Sequence, residues 1–330
     1  MHRYTKRLLW VAVVVTFWGM ALAGCRPAAT TPAATATPSP APTATAPPTL
    51  PPTATPTPAP PTAVLLVGEG ASAEVTRAAA AWLRGLAQAQ GWRYQQANAD
   101  TALPPQTRVA VGVAVAPPQG APRRLALALP PDLSPQGVQV LRLNHAGLPQ
   151  RAFLAGALAA MLTKNWRVGF WGSDQEEALA EAFVHGGRYF CGLCRPLQPP
   201  FLAYPQFVLA PSAGDVESRR ATWQRLLQTR ARTVALSPQA LAFWSQNPLP
   251  AQGLTLLALA EPSPEQRSAF AAVITTDIQG GLQTLWENPD RATQPAALRI
   301  QVLDPQAISP GRLQRAEEVG DLLAQGLIQP

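Results

Sequence analysis

Cys191 and Cys194 stand three apart in Cys-Gly-Leu-Cys, a spacing open to a zinc half-site, a redox pair or a local disulfide. A zinc site needs two further ligands. The chain's histidines are only His2, His145 and His185, and none completes a metal motif with the pair. The strand-and-helix context of a thioredoxin-like pair is also missing, so in an oxidising compartment the pair reads as a disulfide closing a turn. No G-x-S-x-G occurs, and no Ser, His and Asp arrangement carries a nucleophile signature, so an enzyme is not expected. Gly68-Glu69-Gly70-Ala71-Ser72-Ala73 follows an apolar run and opens a helical pattern, as a dinucleotide fingerprint would. The acidic residue expected about 20 positions later is replaced by Gln95, Gln96 and Asn98, so no nicotinamide cofactor is expected. What remains is a tight turn at the lip of a cleft, with Glu69 and Ser72 able to meet a ligand beside a helix N-terminus. Trp171, Ser173 and Asp174 end another apolar run and offer a stacking face and two hydrogen-bonding groups. Asn144, His145, Glu261 and Thr276 occupy corresponding places after or at the end of other runs and are further ligand candidates.

A different chemistry is written at the start of the chain. Arg3, Lys6 and Arg7 precede an apolar run from Leu8 to Ala23, and Leu22-Ala23-Gly24-Cys25 follows. A basic segment, a short apolar segment and small residues before a cleavage point describe a secretory signal over 1–25. The run is shorter than the about 20 residues that a membrane span needs. The ending resembles the bacterial lipobox, which implies a diacylglycerol on the Cys25 sulfur and an extracytoplasmic protein anchored to the cell membrane by lipid. Two or more acyl chains anchor stably where one does not. Residues 26–62 are almost wholly Pro, Thr and Ala, too poor in apolar side chains to fold, and they read as an extended, semi-rigid spacer.

The formal net charge of +7 falls to +4 once Arg3, Lys6 and Arg7 leave with the signal. That residue of charge is mild, and no basic stripe interleaved with aromatics runs through it, so no nucleic-acid partner is expected.

Short apolar runs alternate with helical periodicity throughout the rest of the chain. Strands are expected at 63–67, 92–96, 108–115, 124–129, 138–143, 167–171, 206–209, 233–236, 254–259, 271–275 and 298–303. Helices are expected at 72–90, 148–162, 175–189, 217–229, 238–245, 277–287 and 310–325. Alternation of this kind predicts an α/β fold with mainly parallel sheets flanked by helices. So many strands favour two sheets in two lobes. Ligands in such folds bind beyond the carboxyl ends of the strands.

A resemblance sharpens this. Ala152-Phe153-Leu154-Ala155-Gly156-Ala157 runs on to Thr163-Lys164, and Arg167-Val168-Gly169-Phe170-Trp171-Gly172 and Ala182-Phe183-Val184-His185-Gly186-Gly187-Arg188-Tyr189 follow. Together these stretches resemble the basic membrane protein (BMP) family of substrate-binding lipoproteins, whose members are similar to purine nucleoside receptors of ABC importers. Val273–Ile278 and the closing Gly326-Leu327-Ile328-Gln329-Pro330 agree more weakly. The resemblance implies a two-lobed type I periplasmic-binding fold, with lobe one over 63–165 and 276–295 and lobe two over 166–275 and 296–330. It implies a monomer that binds a small polar solute, nucleoside-like, between the lobes and serves an ABC permease; the alternative is an envelope lipoprotein that keeps the fold for a structural or sensory role. The family's late acidic ligand position falls near Glu261 and its ligand lysine near Thr276. Its aromatic first loop is replaced by the glycine-rich turn at 68–73.

Overall fold

Parallel strands need covered faces and a return path from the end of one strand to the start of the next. The chain meets that need differently in its two halves. The computed structural model describes residues 59–330 apart from 131, 132 and 134, so the signal, Cys25 and nearly all of the spacer lie outside the described residues.

In chain order the first half holds β1 (Thr62–Val67), α1 (Ala73–Gln90), β2 (Arg93–Asn98), β3 (Thr107–Val113), β4 (Arg123–Leu127), β5 (Gln139–Arg142) and α2 (Leu148–Leu162). The second holds β6 (Val168–Ser173), α3 (Glu177–Phe190), β7 (Gln206–Ala210), α4 (Val216–Gln228), β8 (Thr233–Leu236), α5 (Pro238–Gln246), β9 (Thr255–Ala258) and β10 (Phe270–Asp277). It closes with α6 (Ile278–Glu287), β11 (Thr293–Pro295), β12 (Ala297–Val302) and α7 (Pro310–Ala324). Two six-stranded sheets result, in the orders β11-β5-β4-β3-β1-β2 and β12-β10-β9-β8-β6-β7. Every pairing is parallel except β10 with β12. The short β11 is absent from the expected strands; Thr293-Gln294-Pro295 has no apolar run to betray it.

In the first sheet Leu65, Val111, Leu125 and Leu141 turn one face toward α1 and α6, where Leu83, Leu282 and Leu285 complete a core. The Trp82 indole donates to Gln283 across these two helices at 3.0 Å. The opposite face, with Val64, Leu66, Ala110, Ala126 and Val140, is buried as well. Yet among the described residues the connections over 99–106, 114–122 and 128–138 contain no helix. Proline-rich returns without regular structure take that role. A Cβ on Gly112 would lie 2.1 Å from the Val115 carbonyl oxygen, so the second return presses directly on the sheet. Arg124 and Arg142 point from the same face and donate to the carbonyls of Gln136, Pro130 and Leu133 in the third. An extended residue advances about 3.3 Å, so even eight residues can run back along a strand of this length.

The second sheet is covered on both faces by helices. Val168 and Phe170 of β6 face α2, α3 and α7, while the alternate Trp171 faces α4 and α5. Helix α2 is buried from Arg151 to Leu162, as a helix apolar all round should be. Its partners are Phe183, Leu257 and Val319, all of the second lobe. The first lobe expected to run to 165 therefore ends before α2, and the first crossing lies at 143–147. Crossings also occur where β10 passes into α6 and between β11 and β12. Helices α2 and α3 touch at glycines. A Cβ on Gly156 would lie 2.0 Å from the Phe183 carbonyl oxygen, and one on Gly186 1.8 Å from that of Phe153. Gly156 and Gly186 lie in two of the stretches that carry the family resemblance.

Candidate functional site

Strand β1 ends at Val67 and turns through 68–72 into α1, whose first turn carries Glu74. The turn is glycine-dependent: a Cβ on Gly68 would lie 2.7 Å from the Ala114 carbonyl oxygen, and Gly70 has φ +73°. In the second sheet β9 ends before Leu259 and β10 carries Thr276 near its end. One side chain joins these carboxyl ends. Arg151, in the first turn of α2, lies 2.8 Å from the Glu74 carboxylate of the first lobe. It also donates to the Leu259 carbonyl at 3.2 Å and to the Thr276 hydroxyl at 2.7 and 3.1 Å. The Thr276 hydroxyl in turn donates to the Ala146 carbonyl at the first crossing. The Arg151 side chain is 5% exposed and Glu74 39%. Three crossings and this ion pair therefore link the two lobes. A guanidinium at a helix N-terminus opposes the helix dipole, so its partners off the helix are what stabilise it there.

The rim of the second lobe carries a separate polar cluster. Glu176 is buried, and its carboxylate accepts from the Ser173 amide at 2.9 Å, the Ser237 hydroxyl and the Gln239 amide at 3.3 Å. It links the ends of β6 and β8 at the N-terminus of α5, where negative charge is favoured. Asp174 is exposed and accepts from the Ser212 amide at 2.9 Å. Hydrogen bonding to Ser212 holds its carboxyl below the usual carboxylate range. Arg219 lies 5.1 Å over the Phe243 ring and donates to the Ser212 carbonyl.

The residues expected to meet a ligand are distributed unequally. Glu69, Ser72 and Asp174 are exposed at the carboxyl ends of their strands, and Asn144 is exposed on the first crossing. Glu261 is exposed just past β9 and paired with Arg267. Thr276 is buried and committed to Arg151. Ser173 is buried, and its hydroxyl caps the following 3-10 turn by accepting from the Gln175 amide. His145 packs beside Gly326 after α7. Trp171 differs most from its expected place. Strand β6 runs on to Ser173, so Trp171 is not terminal but interior, 1% exposed. Its indole donates to the Thr222 hydroxyl at 3.1 Å and packs on Trp223 and Phe243, leaving no face free for a ligand. Cys191 and Cys194 form a disulfide with Cα atoms 5.4 Å apart. Among the described residues no cluster of three His, Cys, Asp or Glu could hold a metal, and no helix is long and apolar enough to cross a membrane.

Arg151, Glu74 and Glu176 were not among the residues singled out from sequence. Arg151 left one sign: a lone cation at the head of an uncharged helical run reaching Leu162, with no partner within reach on its own helix. Glu74 and Glu176 left none, because an acid in a first helical turn is ordinary.

No protein-family model matches the chain, and no curated protein sequence matches it. Solved structures do. A transcriptional activator of the comK gene from Bacillus halodurans superposes with a TM-score of 0.50 at 10% identity, over 82% of this chain and 99% of its own. The arabinose-binding protein AraP of Geobacillus stearothermophilus gives 0.45 at 11% identity, over 74% and 98%. An ABC-transporter periplasmic solute-binding protein of Actinobacillus succinogenes with bound D-allose gives 0.44 at 11% identity, over 75% and 99%. At such identity the likeness is one of fold. The chain shares with these proteins an α/β architecture of two mainly parallel sheets flanked by helices.

Proposed function

We propose that this chain is an extracytoplasmic solute-binding lipoprotein, anchored through lipid on Cys25, that closes its lobes on a small polar solute as a monomer and presents it to an ABC permease. The observation that carries the reading is the meeting of both sheets' carboxyl ends at Arg151, since ligands of open α/β sheets sit at those ends. Glu69, Ser72 and Asp174 remain exposed on the adjoining turns and supply donors and acceptors of the kind a polar solute needs. The BMP-like stretches support the same role, and Arg151 brings a cation to Thr276, where that family carries a lysine. A nucleobase needs an aromatic face, and Trp171 is enclosed in the core. The polar turns suit a hydroxyl-rich solute better than a base-stacking one.

A second reading, an envelope lipoprotein with a structural or sensory role, draws on the same guanidinium. Arg151 has a protein partner in each lobe, Glu74 in the first and the Leu259 carbonyl in the second. A thermal-shift screen with pentoses, hexoses, nucleosides and amino acids separates the two. A ligand at 100 times its Kd stabilises the folded state by about 2.7 kcal/mol and raises Tm accordingly. A rise with one solute class supports binding, and a flat response across all four classes discards it in favour of the second reading.

A further inference from the structure

At the pole of the second lobe away from the gap, the connection from α3 to β7 exposes large apolar side chains. Leu193 is 87% exposed, Leu197 84% and Phe201 73%, on a stretch of coil between Cys191 and Pro205. Exposed apolar side chains gathered on one short segment mark an interaction or membrane surface more often than single scattered ones do. The stretch is held firmly from below. The Cys191–Cys194 disulfide closes its first turn. Buried Arg167 donates to the carbonyls of Gln198 and Pro199, Arg230 to that of Pro199, and Arg188 to that of Tyr204. The Tyr204 ring packs edge-on to Trp166, and Pro205 lies against Gly187. A loop pinned through its carbonyls cannot fold its outward side chains away.

Every charged side chain lining the adjoining hollow is cationic. Lys164, Arg167, Arg230 and Arg232 line a hollow of about 340 Å³ that Leu197 and Gln198 close on the loop side. Arg188 precedes the loop and Arg195 lies within it, and the stretches 163–167, 186–207 and 225–233 contain no acidic residue. Apolar side chains projecting from a basic surface match the boundary of an anionic bilayer, where acyl chains lie beneath phosphates. We propose that this loop and its basic hollow dock the second lobe onto anionic phospholipid, with Leu193, Leu197 and Phe201 entering the interface and the cations taking headgroup phosphates. The spacer cannot choose this orientation by itself. About 37 residues separate Cys25 from Thr62, roughly 110 Å when extended, so either pole could reach the lipid surface.

The test uses the chain from Arg26 on, exported behind a cleavable leader that adds no lipid and allows the disulfide to form. Flotation is measured with vesicles of phosphatidylcholine alone and of phosphatidylcholine with an equal part of phosphatidylglycerol. The chain is expected to float with the anionic vesicles only, and to be released as salt rises from about 50 mM to about 500 mM. Leu193→Ser, Leu197→Ser and Phe201→Ser together should lower partitioning by about ten-fold or more with an unchanged melting curve, as should Arg230→Gln with Arg232→Gln. Failure to float with either vesicle, or flotation unaffected by the triple substitution, overturns the proposal. So does a dimer in sedimentation velocity that the triple substitution abolishes, because the loop would then be a contact between copies.

Discussion

Replacing Glu74 with Gln removes the negative end of the ion pair between the lobes and leaves the Arg151 charge in place. The two groups lie 2.8 Å apart, with Arg151 5% and Glu74 39% exposed. Breaking a fully buried pair from one side costs about 3–5 kcal/mol. An exposed pair is worth about 0–1. Glu74 lies between these limits, and Arg151 keeps Leu259 and Thr276, so a cost of about 1–2 kcal/mol follows. The opposite substitution, Arg151→Met, frees a carboxylate that water can reach, so its electrostatic cost is small and the loss is mainly one of packing and hydrogen bonds. The pair should therefore be asymmetric, and in the Arg151→Met background Glu74→Gln should cost almost nothing. For a chain of this size about 1 kcal/mol moves Tm by about 2–4 °C, so Glu74→Gln should lower it by about 3–6 °C. Urea titrations of the two single variants and the double variant give the coupling energy. Small-angle scattering gives the radius of gyration, which should rise in Glu74→Gln as the lobes part. Additivity within about 0.5 kcal/mol would show that the two groups do not interact and would remove the argument for a latched gap.

Gly186→Ala places a Cβ 1.8 Å from the Phe153 carbonyl oxygen and should cost about 1–3 kcal/mol or more, whereas Gly85→Ala, on an exposed face of α1 with nothing within 4 Å, should stabilise by about 0.5–1; equal melting temperatures would refute the packing account. Burial pushes the Tyr204 phenol up to about 12. The unfolded phenol ionises near 10, so this group's stabilisation is intact below that value and lost as pH rises toward 12; absorbance at 295 nm should show a tyrosine ionising well above pH 10 that Tyr204→Phe removes. The Tyr204 hydroxyl is buried without a hydrogen-bond partner, so Tyr204→Phe should be neutral or stabilising by up to about 1 kcal/mol in chemical denaturation. Asp174 has its carboxyl lowered by Ser212, so the stability difference between the wild type and Asp174→Asn should persist above the ordinary value of 3.8 and vanish as pH falls through the depressed one; a difference unchanged down to full protonation would refute it. Cys25→Ser should abolish incorporation of labelled palmitate, and retained label would exclude that cysteine as the lipid site.

The alternation of apolar runs with helical periods was enough to determine an α/β chain with two parallel sheets, because burial on two faces demands continuous apolar strands. β8 occupies 233–236 and α2 occupies 148–162, both as expected from residue pattern alone. What pattern could not decide was anything set by partners distant in the chain. Helix α2 is apolar on every side and would fit either sheet, and its packing on Phe183, Leu257 and Val319, with the glycine contact to α3, assigns it to the second. Trp171 at the end of a predicted strand looked accessible, but two further residues of ladder, paired to β7, moved the true strand end to Ser173 and turned the indole into the core. The returns over the first sheet looked like loops because they are loops, and their packing role depends on Gly112, Arg124 and Arg142 in other strands. The guanidinium between the lobes had the same origin. Glu74, Arg151 and Thr276 are far apart along the chain, and only the three crossings bring their charges and hydroxyl within hydrogen-bonding range.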